Sequence, residues 1–231
     1  MSEIANLRPT IVWQKFDEIC KIPRPSKHEE KITKYILDFA KQRNLSCRQD
    51  SVGNVFVEKP ATPGFETKEL VVLQAHVDMV PQKKNESNHN FLTDAIEAYV
   101  DGNFVRAKGT TLGADNGIGV AMILAILDAH DLEHGPIQAV FTVDEETGMT
   151  GAFALKSTDI TAKYLINLDT ENENVVTIGG AGGLDANFTF DLSYSGVSEY
   201  EKVYTISLSG LTGGHSGFEI ILNRANANKV L

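Results

Sequence analysis

Val71-Val72-Leu73-Gln74-Ala75 runs without a charge into His76, and the same kind of segment recurs at Ile137–Val143 and Tyr164–Leu168. Short runs that are apolar throughout predict strands covered on both faces rather than strands with one wet face. Residues 117–130, and more briefly those near 151–156, carry helical spacing. With β-rich runs at 69–75, 97–107, 136–143 and 163–168, the alternation predicts an α/β fold: a mixed, largely parallel sheet flanked by helices. Upstream, Val12, Phe16 and Ile19 line one amphipathic helix over 8–21, and Ile32, Tyr35, Ile36 and Phe39 line another over 27–43. Ser26 is placed to cap the second helix, and Val52-Gly53-Asn54 to turn a hairpin.

Past Gly179-Gly180-Ala181-Gly182-Gly183 the pattern changes, and residues 184–194 and 202–210 alternate like strands that expose one face. This divides the chain near 183 into a catalytic domain, 1–183, and the beginning of a second, α+β domain, 184–231, whose final residues open a helix. A net charge of −10 argues against nucleic acid or an anionic membrane as partner. No apolar run approaches the roughly 18 residues that span a membrane, and the start lacks a secretory pattern, so the expected compartment is the cytoplasm. Cys20 and Cys47, without metal-type spacing, are expected to be free thiols.

The chemistry collects where these segments end. His76 and Asp78 lie two apart on an extended segment and so point the same way, which suits a metal-bound imidazole oriented by a carboxylate; a capped strand end is the alternative. Asp115 stands in Gly113-Ala114-Asp115-Asn116-Gly117, where a glycine-rich turn meets a helix, either to approach an ion or to cap the helix. Asp144-Glu145-Glu146 crowds three acids at the end of a buried strand, an arrangement that a cation would relieve, with Glu146 as ligand and Glu145 left for proton transfer. Asp169 follows the fourth such segment. Sites in open α/β sheets gather at the carboxyl ends of strands, so four such ends point to one centre.

Carboxylates with one imidazole and no cysteine favour zinc first, then manganese or cobalt. His76 with Asp169 on one ion and Glu146 on another would make a two-metal site. His28, His89, His130 and His134 are expected at the surface, whereas His215, in Gly210–Gly217, is placed either to complete the ligand set or to reach a substrate carbonyl.

HVDM at 76–79, GTTLGADNGIG at 109–119, DEETGMTGA at 144–152, INLDTE at 166–171 and GLTGGHSG at 210–217 resemble the aminoacyl-histidine, or cytosol non-specific, dipeptidases of the di-zinc peptidase clan. The resemblance implies that His76 and Asp169 hold one ion and Glu146 the other, that Asp115 bridges them, and that the peptide between Asp115 and Asn116 is cis. It further implies Asp78 as the orienting group, Glu145 as general base, His215 as a contact to the substrate carbonyl, and a lid or dimerisation role for the second domain. A homodimer that hydrolyses dipeptides, including those ending in histidine, is the implied whole protein, with a water held between the metals as attacking group. Family members are about twice this length, and their remainder supplies a final histidine ligand, so the chain is expected to be catalytically incomplete by itself. The alternatives are a fragment with residual metal binding, or an aminoacylase or carboxypeptidase of the same clan.

Overall fold

The structure, a computed structural model, describes residues 2–170, 174–180, 182, 186–214 and 219–231. The chain falls into two compact units, Met1–Val176 and Thr177–Leu231. The expected boundary at Gly183 lies outside the described residues.

The first unit is built on a five-stranded sheet of order β1-β2-β6-β3-β7, formed by β1 (Ser46–Gln49), β2 (Val55–Lys59), β3 (Val71–His76), β6 (Ile137–Thr142) and β7 (Tyr164–Asn167). The sheet is mixed: β3 runs parallel to both β6 and β7, while β2 is antiparallel to β1 and β6. The run expected at 97–107 folds as a separate hairpin, β4 (Ala98–Asp101) and β5 (Phe104–Ala107), because Gly102, at φ +60, turns the chain back on itself.

Side-chain alternation divides the core between the two faces of the sheet. Val55, Val57, Leu73, Ala75, Ala139 and Phe141 enter one large cluster with α1 (Thr10–Cys20), α2 (Glu30–Gln42) and α3 (Ala114–Asp128). The intervening Phe56, Val72 and Val140 form a smaller cluster on the opposite face, against Leu155, Ile160 and Ala162. α3 is apolar nearly all round and correspondingly buried, with Val120, Ile123, Leu124 and Leu127 almost inaccessible. Two short helices, α4 (Glu145–Gly148) and α5 (Thr150–Ala154), follow β6 and meet at Met149, which is in the left-handed conformation.

Two local expectations are corrected. Ser26 does not cap α2: Lys27 takes φ +70 and the helix starts only at Glu30, which leaves the serine hydroxyl outside the first turn and free to donate elsewhere. In the second unit, none of the described residues of 184–194 and 202–210 forms a strand. Their alternating side chains stand in solvent with no neighbouring strand among the described residues to accept their backbone hydrogen bonds, and alternation alone cannot supply one. The unit contains α6 (Ala227–Val230), close to where a helix opening was expected.

Candidate metal centre

Parallel pairing places the ends of β3, β6 and β7 at one edge of the sheet. His76 faces Thr142 in register and Gln74 faces Asn167, so residues just beyond Thr142 and Asn167 arrive beside His76. The ladder runs on past the strands through Val77 N–H to Thr142 O at 2.9 Å and Leu168 N–H to Gln74 O at 2.9 Å.

The buried His76 ring is gripped at both nitrogens. Nδ1 lies 3.2 Å from Asp78 Oδ1, while Nε2 lies 2.9 Å from Asp115 Oδ1 and 3.6 Å from Asp169 Oδ1. His76, Asp115 and Glu146 each present a ligand atom within 4.8 Å of the others. Asp115 arrives from the start of α3, where its own φ/ψ is not helical and the peptide to Asn116 is cis. Asp78 is inaccessible and holds two segments at once. Its carboxylate faces the imidazole and accepts the Glu145 amide at 3.0 Å, the Glu146 amide at 3.2 Å and the Ser26 hydroxyl at 2.8 Å. Those two amides open α4, so the carboxylate lies at the positive end of that turn.

The electrostatics describe a cluster with surplus negative charge. Burial works to lower the His76 pKa, but hydrogen bonds to Asp115, Asp169 and Asp78 overcome it and push it up to about 12. Burial first, and then the Asp115 charge, raise Glu146 to about 7. Glu145 is raised by burial too, with Asp169, Asp78 and Asp115 adding to the shift and His76 opposing it. Asp78 moves the other way: burial would raise it, but His76, the Glu145 amide and the Ser26 hydroxyl bring it down to about 2. Burial and neighbouring carboxylates raise Glu146, and carboxylates hold the proton on His76, so the cluster carries a surplus of negative charge that a cation would offset. One imidazole with three carboxylates therefore fits a borderline-to-hard divalent ion.

Of the other residues singled out from sequence, His215 lies outside the described residues. His28 and His130 are exposed; His89 and His134 are half-buried, the latter with Nδ1 2.7 Å from Gly135 O. Cys20 and Cys47 are free thiols, and burial pushes Cys20 up to about 12.

Sequence reasoning passed over the segment that braces this centre. Arg24, 2% exposed, donates to the carbonyls of Val77 and Asp78, both at 2.9 Å, and to Gly113 O. Glu29 Oε1 accepts the amides of Lys27 at 2.7 Å and Asp144 at 3.1 Å. Glu29, Asp78 and Asp144 form a second, fully buried group of carboxylates. Its oxygens are taken by protein donors, including the hydroxyls of Thr147 and Thr150 on Asp144, so it works as bracing. The available sequence signal was Arg24 itself, a cation held between Pro23 and Pro25 just before α2.

A sheet edge that collects a histidine and carboxylates within a few ångströms offers the donor set of a divalent-metal site. Residues 72–210 match the family described as Peptidase family M20/M25/M40, and the chain belongs to that family. Over all 231 residues it is 47% identical to the cytosol non-specific dipeptidase of Escherichia coli, covering 48% of that protein. The crystal structure of aminoacylhistidine dipeptidase from Vibrio alginolyticus matches with a TM-score of 0.73 at 54% identity, over 74% of this chain and 35% of that one. Aminopeptidase PepT of Bacillus cereus, 24% identical, shares the fold at a TM-score of 0.60 over 70% of this chain and 43% of its own. The chain spans about half the length of the curated relatives it matches. Among the described residues, no helix is long and apolar enough to cross a membrane.

Proposed function

We propose that the protein carrying this sequence is a cytoplasmic, homodimeric metallo-dipeptidase that cleaves dipeptides with a free amino end, including those ending in histidine. The observation that carries the reading is the His76 ring, with Nδ1 turned to Asp78 and Nε2 turned to two further carboxylates. Its names come from the relatives: a cytosol non-specific dipeptidase at 47% identity and an aminoacylhistidine dipeptidase at 54%.

In this reading His76 and Asp169 would hold one divalent ion and Glu146 a second, with Asp115 serving both and zinc the preferred metal. When bound, the ions would acidify a water toward about pH 7 and polarise the scissile carbonyl. Asp78 fixes the tautomer and direction of His76, so Nε2 can offer its lone pair once the ring has lost its proton. Glu145 is the general base: half-buried, its pKa raised, and held at its backbone by Asp78, it takes the proton of the attacking water and passes it to the leaving amine. His215, in the second domain, would donate to the substrate carbonyl, where charge develops.

The test is a metal analysis beside a hydrolysis assay on the intact polypeptide and on its Glu145→Gln variant. Metal content should hold while turnover falls by roughly 10²–10⁴. Equal loss of metal and turnover would remove Glu145 from the base role. Hydrolysis of N-acylated amino acids in preference to dipeptides would move the protein to the aminoacylase branch.

A further inference from the structure

We infer that Arg24 is a positioning residue for this metal centre: its buried guanidinium ties the segment carrying His76 and Asp78 to the turn carrying Asp115. The inference rests on the metal-site reading above and adds to it a residue that touches no ligand atom.

The geometry is a three-way fork. Nη1 bonds to the consecutive carbonyls of Val77 and Asp78, both at 2.9 Å, and Nη2 bonds to the carbonyl of Gly113. His76 and Asp78 belong to the first segment, and Asp115 lies two residues past Gly113. Side chains also join these segments, His76 Nε2 lying 2.9 Å from Asp115 Oδ1 and the Thr111 hydroxyl donating to Val80 O at 2.6 Å, but the guanidinium fixes their backbones, through three carbonyls at once. The space around it is shaped to admit it. A Cβ at Gly113 would sit 2.6 Å from Nη2 and 2.7 Å from Met79 Sδ, and a Cβ at Gly117 would sit 2.6 Å from Nη2 and 3.1 Å from Phe16 Cε2. Two glycines of the Gly113–Gly117 turn thus leave the room that the guanidinium occupies. Ser26, two residues further on, completes the brace by donating to Asp78.

Charge and geometry make opposite predictions for this residue. Arg24 feels Asp78, Asp115 and Glu146 electrostatically, so as a bare charge it would compete with an incoming cation. As a fork it pre-assembles the ligands, and its disruption should weaken cation binding even where the charge is kept. A planar guanidinium reaches three carbonyls in fixed directions, which a lysine ammonium on a flexible stem does not reproduce.

The experiment is titration of the metal-free, intact polypeptide with cobalt(II), followed by its visible absorption, for the parent, Arg24→Lys and Gly117→Ala. Gly117→Ala keeps the arginine, favours the helix by propensity, and displaces the guanidinium, so it serves where Arg24→Lys fails to fold. Cobalt affinity should fall about 10–100-fold in either variant, with an altered ligand-field spectrum, while metal-free Gly117→Ala still melts cooperatively, at a midpoint lowered by the hydrogen bonds the displaced guanidinium gives up. Parent-like affinity and spectrum in both variants would reduce Arg24 to a packing role and overturn the inference while leaving the metal site standing. A parent protein that takes up no cobalt would overturn the metal-site reading itself, and this inference with it.

Discussion

β3 and residues 202–210 are both short, apolar-rich segments, and they end in opposite circumstances. In β3 the backbone is hydrogen-bonded on both edges, to β6 and to β7, and Val72 and Ala75 are fully buried. In 202–210 no strand forms, and Val203 and Ile206 are about four-fifths exposed, at 80% and 79%. The difference is not one of composition. An isolated extended segment gains nothing for the entropy of being held straight until a neighbour takes its hydrogen bonds and covers a face. β3 is central in a sheet whose other strands lie within the same unit, and the second unit contains no such neighbour among its described residues.

Amide hydrogen exchange on the 231-residue chain would break that contrast most directly. The amides of Val72–Ala75 and Val140–Phe141 should be protected by a factor on the order of 10⁴ or more, since they open only with the whole unit. Those of 186–194 and 202–210 should exchange within about tenfold of an unstructured peptide. Strong protection in the second group would mean that the two regions differ less than their exposures imply.

Truncation of matched phenylalanines sharpens the same contrast on a smaller scale. Phe141 is fully buried in the main core, and Phe141→Ala should cost about 3–5 kcal/mol. Phe190 is 78% exposed, and Phe190→Ala should stay within about 0.5 kcal/mol. Denaturant melts of both variants, read through Trp13, the chain's single tryptophan, report on the first unit alone. A cost above about 1 kcal/mol for Phe190→Ala would show that the second unit contributes to the first one's stability.

What the sequence disclosed follows the same division. β3 and β6 were readable from their uniform apolar runs, because a strand buried on both faces carries its signature in its own residues, whereas β7, read the same way, is an edge strand with Tyr164, Leu165 and Ile166 exposed. The gathering of His76, Asp115, Glu146 and Asp169 was readable as position, since parallel pairing sends strand ends to one edge; the chemical role of each stands as a proposal. Arg24, Ser26 and Glu29 were not readable in the same way. Arg24 bonds to carbonyls 53 and 54 residues away, and Glu29 meets an amide 115 residues away, so nothing in their own neighbourhood announces the partner. Ser26 was misplaced for a related reason: a hydroxyl near a helix start reads locally as a cap, but its acceptor, Asp78, lies 52 residues on. The strands expected at 184–194 and 202–210 failed because alternation is a local property and pairing is not.

The smallest expected effect, on pH, also separates the two units. Asp78 is inaccessible, and its pKa falls from an ordinary 3.8 to about 2 on folding. A depressed carboxyl binds its proton more readily in the unfolded chain, so its stabilisation is complete above about pH 3.8 and is lost as pH falls through about 2. The shift corresponds to about 2 kcal/mol in the metal-free protein. His76, pushed up to about 12, remains the charged partner throughout this window, so within this pair the proton goes to Asp78, while Asp17 and Asp128, also held low, add to the same acid limb. Ser26→Ala removes one of the hydrogen bonds that hold the carboxyl down and should move the acid limb of a Trp13-detected melt to higher pH, whereas Asp78→Asn should flatten that limb. Because the second unit lacks this group, its exchange rates should follow only the intrinsic pH dependence of amides over the same range. An acid limb shared by both units, or one unchanged in both variants, would place the origin of acid sensitivity outside the Asp78 brace.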